Sequence, residues 1–172
     1  HPWIVYLYLN CESLGELEAD LQNPVVCPTE SELEAFEAAV QRGTITWHAL
    51  PMNFQIEWMN SETFNFALSL THSLDEHFDL PHKATMSQRD VPGMTRGVVP
   101  HLNAKGVMGI TVGVNGGVCP PQLPNIFRWK VGDSEVVAAW HPGGYPDEYA
   151  CGGAGIEGCN EKVAGPLARR DC

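Results

Sequence analysis

One stretch limits the folds open to this chain more than any other. An apolar run over residues 83–86 leads into Met86-Ser87-Gln88-Arg89-Asp90-Val91-Pro92-Gly93-Met94-Thr95-Arg96-Gly97, and a helix-like run with Val98, Val99 and Leu102 leads out of it. The order reads as strand, turn, helix. Gly109-Ile110-Thr111-Val112-Gly113-Val114, the clearest buried strand in the sequence, comes next, and this alternation belongs to α/β folds with a parallel sheet. Val91-Pro92 favours extended backbone and Gly93 accepts angles other residues avoid, so the turn can hold one shape. Asp90 sits in that turn, at the carboxyl rim of a strand, where loops and helix N-termini converge and ligands collect. From position alone, an aspartate there more often caps the next turn.

The chain has 172 residues, 44% of them hydrophobic, enough for one buried core and short for two. Residues 1–150 are read as one domain, or a piece of one. Residues 151–172 are read as a loop or tail, because Gly152-Gly153-Ala154-Gly155 and the residues after it carry no sustained period. With 10 Lys and Arg against 21 Asp and Glu, the formal charge is −11, which argues against a nucleic-acid partner, since phosphate sites are built from clustered cations. No apolar run approaches the roughly 20 residues that span a bilayer, and no basic segment with an apolar run opens the sequence; a soluble chain is expected. Cys11, Cys27, Cys119, Cys151, Cys159 and Cys172 show no C-x-x-C spacing, so disulfides and buried thiols stand as equal readings.

Local signals fix several elements. Residues 3–9 are β-branched and aromatic, which favours a strand by propensity. Thr29-Glu30-Ser31-Glu32 matches a capping box, and Leu33, Phe36, Ala39 and Val40 then recur on one helical face up to Arg42-Gly43. Residues 44–50, rich in Ile, Thr and Trp and closed by Pro51, predict a strand. Asn60-Ser61 predicts the start of a helix running through Phe78. Residues 127–130 and 135–140 predict a hairpin about a turn containing Gly132 and Asp133.

Candidate site residues come with plainer alternatives. His48 would lie near the end of the 44–50 strand beside Trp47, whose aromatic face could pack on a sugar; a satisfied structural His and a core Trp are the ordinary readings. Glu57 could bring a carboxylate to the rim of Asp90, or stay a solvated surface group. Arg96, in the first turn of the following helix, could face the same rim. His72, His77 and His82 recur every five residues, but that step rotates about 140° around a helix and Pro81 interrupts it, so they are rejected as a metal cluster.

The run Asp90-Val91-Pro92-Gly93-Met94-Thr95-Arg96-Gly97-Val98-Val99-Pro100, with Ala104-Lys105-Gly106-Val107 and the strand after it, resembles the catalytic core of glycoside hydrolase family 38, the zinc-dependent α-mannosidases. More loosely, the resemblance spans residues 3–145. It implies an irregular (β/α) barrel of the type shared with polysaccharide deacetylases, mostly parallel, and a helix rather than a strand over residues 3–9. It makes Asp90 both zinc ligand and nucleophile, puts Asn115 in a sugar-contacting loop, and brings His141 and Tyr145 to the site. The expected partner is an α-linked, mannose-type carbohydrate.

Three departures stand out. Met94 occupies the place of a typical His, the strand at 109–114 lacks a terminal Arg, and no His-x-Asp strand is present. The last implies an internal fragment with an incomplete sheet and zinc ligands elsewhere. Two other readings stay open: a non-catalytic, carbohydrate-binding or inactive piece of such an enzyme, and a deacetylase-like metal hydrolase.

Overall fold

The computed structural model describes residues 1–14, 26–91, 94–113 and 123–141. Four strands, β1 (Thr85–Arg89), β2 (Gly109–Gly113), β3 (Ile126–Val131) and β4 (Ser134–His141), form an open sheet in the order β1-β2-β4-β3. β1, β2 and β4 are parallel, and β3 is antiparallel to β4. The chain is thus mixed α/β with a mostly parallel sheet. Among the described residues that sheet is open.

Side-chain alternation divides the sheet into two unlike faces. Met86 and Gln88 on β1, Ile110 and Val112 on β2, and Val136, Ala138 and Trp140 on β4 are buried. The intervening Ser87, Thr111, Ala139 and His141 are half-buried, and Val137 is 49% exposed. The buried face packs on helix α5 (Val98–Ala104) and on Phe64 and Leu68 of helix α4 (Ser61–His77). At Gly109, paired with Thr85, an added Cβ would stand 3.0 Å from the threonine methyl, so any larger residue there would have to push the Thr85 side chain aside. The hairpin between β3 and β4 closes through Gly132 and Asp133, with Gly132 at φ 59°, as tight hairpins favour.

The helices follow their local signals. Residues 2–9 form helix α1 (Pro2–Leu9), not a strand: Pro2 starts it, Val5 enters a core with Val40, Trp47, Leu74 and Phe78, and the helix packs on α4. Helix α2 (Cys11–Leu14) is a single turn. Helix α3 (Glu30–Gln41) begins where the capping box predicts. The Glu32 carboxylate accepts the Thr29 N–H at 2.8 Å and also the Thr29 hydroxyl at 2.8 Å. α4 is capped by Asn60, whose Oδ1 accepts from the Thr63 N–H at 2.8 Å.

Two sequence expectations need correction. Residues 44–50 do not form a strand. Thr44 and Ile45 donate to the Ala39 carbonyl as the chain leaves α3, and the segment meets β1 through one bond, Ala49 N–H to the Thr85 carbonyl at 2.8 Å. Local capping of α3 outweighed β-propensity there. The strand expected to end at Met86 runs on through Arg89, so the turn begins at Asp90.

Buried polar groups fasten these parts. Asp75 is fully buried: its carboxylate accepts from Trp47 Nε1 at 2.8 Å and from the Lys83 N–H at 3.1 Å, and pairs with Lys83 Nζ at 3.1 Å. Gln88, also fully buried, treats Phe54 as a neighbouring strand: its Nε2 donates to the Phe54 carbonyl at 2.9 Å and its Oε1 accepts the Phe54 N–H. Asn103 clasps Glu135 in the same way, with both bonds at 2.8 Å, joining α5 to β4. A disulfide between Cys11 and Cys27 ties α2 to the residues before α3, so the disulfide reading holds for this pair. The other four cysteines, the proposed tail and Pro92-Gly93 lie outside the described residues.

Candidate functional site

The parallel strands end together. Their last common row is Arg89, Gly113 and His141, and the Asp90 N–H extends it by donating to the Gly113 carbonyl at 2.8 Å. Asp90 adopts φ 60°, a left-handed conformation that few residues other than glycine, asparagine and aspartate accept. The chain therefore bends away from the sheet at Asp90 itself. Its side chain is exposed at the carboxyl end of β1.

Beside it, on the less buried face, is a polar row. Arg89 donates through Nη2 to Thr111 Oγ1 and through Nη1 to the Gln88 carbonyl at 3.2 Å. His141 Nε2 lies 3.2 Å from the same Thr111 hydroxyl. The Arg89 N–H donates to Asn53 Oδ1 at 3.1 Å, which holds the residue 53–54 segment against the rim. Burial, and after it the positive charge of Arg89, hold the His141 imidazole below its ordinary pKa. His48 is pushed down to about 4, first by burial, then by the amino-terminal charge and Arg89. Its Nδ1 accepts the Leu50 N–H at 3.2 Å, so the neutral ring carries its proton on Nε2. Both imidazoles are neutral at pH 7.

The remaining candidates separate. Trp47, read as a sugar-stacking face, is instead a core side chain, 7% exposed, packed on Phe78 with its indole N–H held by Asp75. Glu57 lies in a single 3₁₀ turn, Ile56–Trp58, and is exposed. It borders a cavity of about 320 Å³ with Asn60, Phe64, Thr95, Val98 and His101. That cavity lies between the start of α4 and the approach to α5. Arg96 is exposed in the turn before α5, and Asn115 and Tyr145 lie outside the described residues.

The structure therefore links Arg89, Thr111 and His141 directly, brings His48 within reach of the Arg89 charge and sets Asp90 next in the chain at the end of β1, while Glu57 borders the cavity described above. Arg89 and Thr111 escaped sequence reasoning. The signal was the alternation of Met86 and Gln88, which puts Arg89 on the opposite face once β1 is extended through it.

Among the described residues, no three His, Cys, Asp or Glu side chains gather as a metal site. No described helix is long and apolar enough to cross a membrane. Comparison of the chain with family models, curated proteins and solved structures finds no match in any of the three.

Proposed function

We propose that this chain is the core of a retaining glycoside hydrolase acting on α-linked, mannose-type sugars, similar to the family-38 enzymes, and that Asp90 is its nucleophile. The observation that carries the reading is the placement of Asp90: an exposed carboxylate at φ 60°, one residue past the last paired row of a parallel sheet. Aspartate is among the few residues other than glycine that take up left-handed backbone, so the residue that turns the chain at the end of β1 can also be the one that carries the carboxylate. The sheet's two faces support the finer fold proposal, an irregular (β/α) barrel. In such barrels helices cover one strand face while the other looks inward, and the polar row of Arg89, Thr111 and His141 suits an inward face.

In a retaining reaction the Asp90 carboxylate attacks the anomeric carbon, and the leaving oxygen takes a proton from a carboxylic acid about 5 Å away. Water then cleaves the glycosyl ester, giving up a proton to that same acid. Glu57 is the carboxylate proposed for this role. Thr111 and the neutral His141 supply hydrogen bonds to sugar hydroxyls. The described residues do not compose a zinc site, so the zinc implied by the family likeness would need ligands beyond them, and no step here passes through it.

One observation favours a second reading, non-catalytic carbohydrate binding: Met94, where the family carries His, packs against the main core. Asp90→Asn in the full-length protein separates the two. The hydrolase reading predicts that turnover of an aryl α-mannoside falls by about 10³-fold or more while the fold is kept. Unchanged turnover removes Asp90 as nucleophile, and sugar binding without turnover in both proteins establishes the binding role.

A further inference from the structure

The segment between α4 and β1 folds back on α4 and sets two imidazoles face to face. His72 and His82 are stacked with ring centroids 3.9 Å apart and planes within 15° of parallel. They do not share a helical face. α4 ends at His77, and Asp79, at φ 51°, turns the chain so that His82 lies over His72. The surroundings are charged from every side. α4 supplies Glu76, whose Oε1 is 3.5 Å from His82 Nε2, and Asp75, already paired with Lys83. The C-terminal end of α5 supplies Lys105, whose Nζ donates to Ser69 Oγ at 3.0 Å. His72 Nε2 is buried without a hydrogen-bond partner.

We infer that the His72–His82 stack is a proton-operated latch on the connection that feeds β1, closed while at most one ring is charged and opened when both are. One proton is tolerated, because Glu76 provides a counter-charge at His82. A second would put two like charges about 4 Å apart, with the Lys105 ammonium near, in a site that excludes part of its water. Burial first, then the charges of His82 and Lys105, already hold His72 below its ordinary value against the pull of Asp75 and of a hydrogen bond with the Lys105 backbone. Relief comes by separation of the rings, which releases residues 79–84 from α4. Two amides report on this directly: Leu80 N–H donates to the Asp75 carbonyl at 2.8 Å, and Lys83 N–H to the Asp75 carboxylate at 3.1 Å. The strand that continues from this segment is the one that ends at Asp90.

The test is amide hydrogen exchange of the full chain at pH 7.5 and pH 5, corrected for intrinsic rates. Protection of Leu80 and Lys83 should fall by about tenfold or more at the lower pH, while amides of β2 keep theirs. In His72→Phe, which keeps an aromatic ring but takes no proton, the fall should vanish. An NMR titration of both imidazoles in the unaltered protein provides a second arm. The His72 ring should gain its proton over the same pH range in which the two amides lose protection. Protection retained at pH 5, an equal loss in His72→Phe, or protonation of His72 with no change at Leu80 and Lys83 would each overturn the latch.

Discussion

At residue scale, the rim is shaped by what surrounds each ionisable group. His48 is the sharpest case: burial, with the amino-terminal charge and Arg89, lowers it to about 4, so the folded protein binds fewer protons at this ring than the unfolded chain, where the value is near 6.5. A histidine depressed on folding adds stability that is full above about pH 6.5 and declines as pH falls from there towards 4. Denaturant midpoints should therefore drop between pH 7 and pH 5, and His48→Gln should flatten that slope. Equal slopes in the two proteins would show that His48 is not held neutral by the fold. Asp90 and Trp47 illustrate how much of this scale sequence can reveal. Asp90 stands out in the sequence through its turn, and the structure sets it directly after β1 at φ 60°. Trp47 was misplaced because an indole that stacks on sugar and one that donates to a buried carboxylate look identical in a sequence.

At element scale, helices were more legible than strands. The capping box at Thr29 and the Asn60 cap are local chemistry, complete within four residues, and both helices start where those signals place them. β1 reads Thr-Met-Ser-Gln-Arg, and its alternation is hidden because Gln88 is fully buried by bonding the Phe54 backbone, a partner 34 residues away. The 44–50 segment failed in the opposite sense: its composition suits a strand, but its hydrogen bonds go to α3, to β1 once, and through Trp47 to Asp75. Asp75 holds three parts of the chain by one buried carboxylate. Asp75→Ala leaves the Trp47 N–H and the Lys83 ammonium without their acceptor and should reduce unfolding free energy by about 3–5 kcal/mol in urea titrations. A loss below about 1 kcal/mol would mean that the cluster does not hold this junction together.

At the scale of the molecule, the parallel sheet, its two crossover connections and the gathering of polar groups at its carboxyl end form a scaffold whose geometry favours chemistry at that end. The order of strand, turn, helix and strand makes a parallel pairing readable in the sequence, since parallel neighbours need a long connection. The insertion of β4 between β2 and β3 was not readable, because a hairpin signal fixes which strands pair but not which of them joins the sheet interior. The central proposal is that the end of β1 presents a carboxylate to an anomeric carbon, and the most direct test is covalent trapping. The full-length protein is incubated with an activated 2-deoxy-2-fluoro-α-mannosyl substrate, which slows breakdown of the glycosyl ester, then digested and analysed by mass spectrometry. The account predicts one added fluorosugar on the peptide containing Asp90, absent in Asp90→Asn; sustained turnover with no adduct there, or an adduct on another carboxylate, would contradict it.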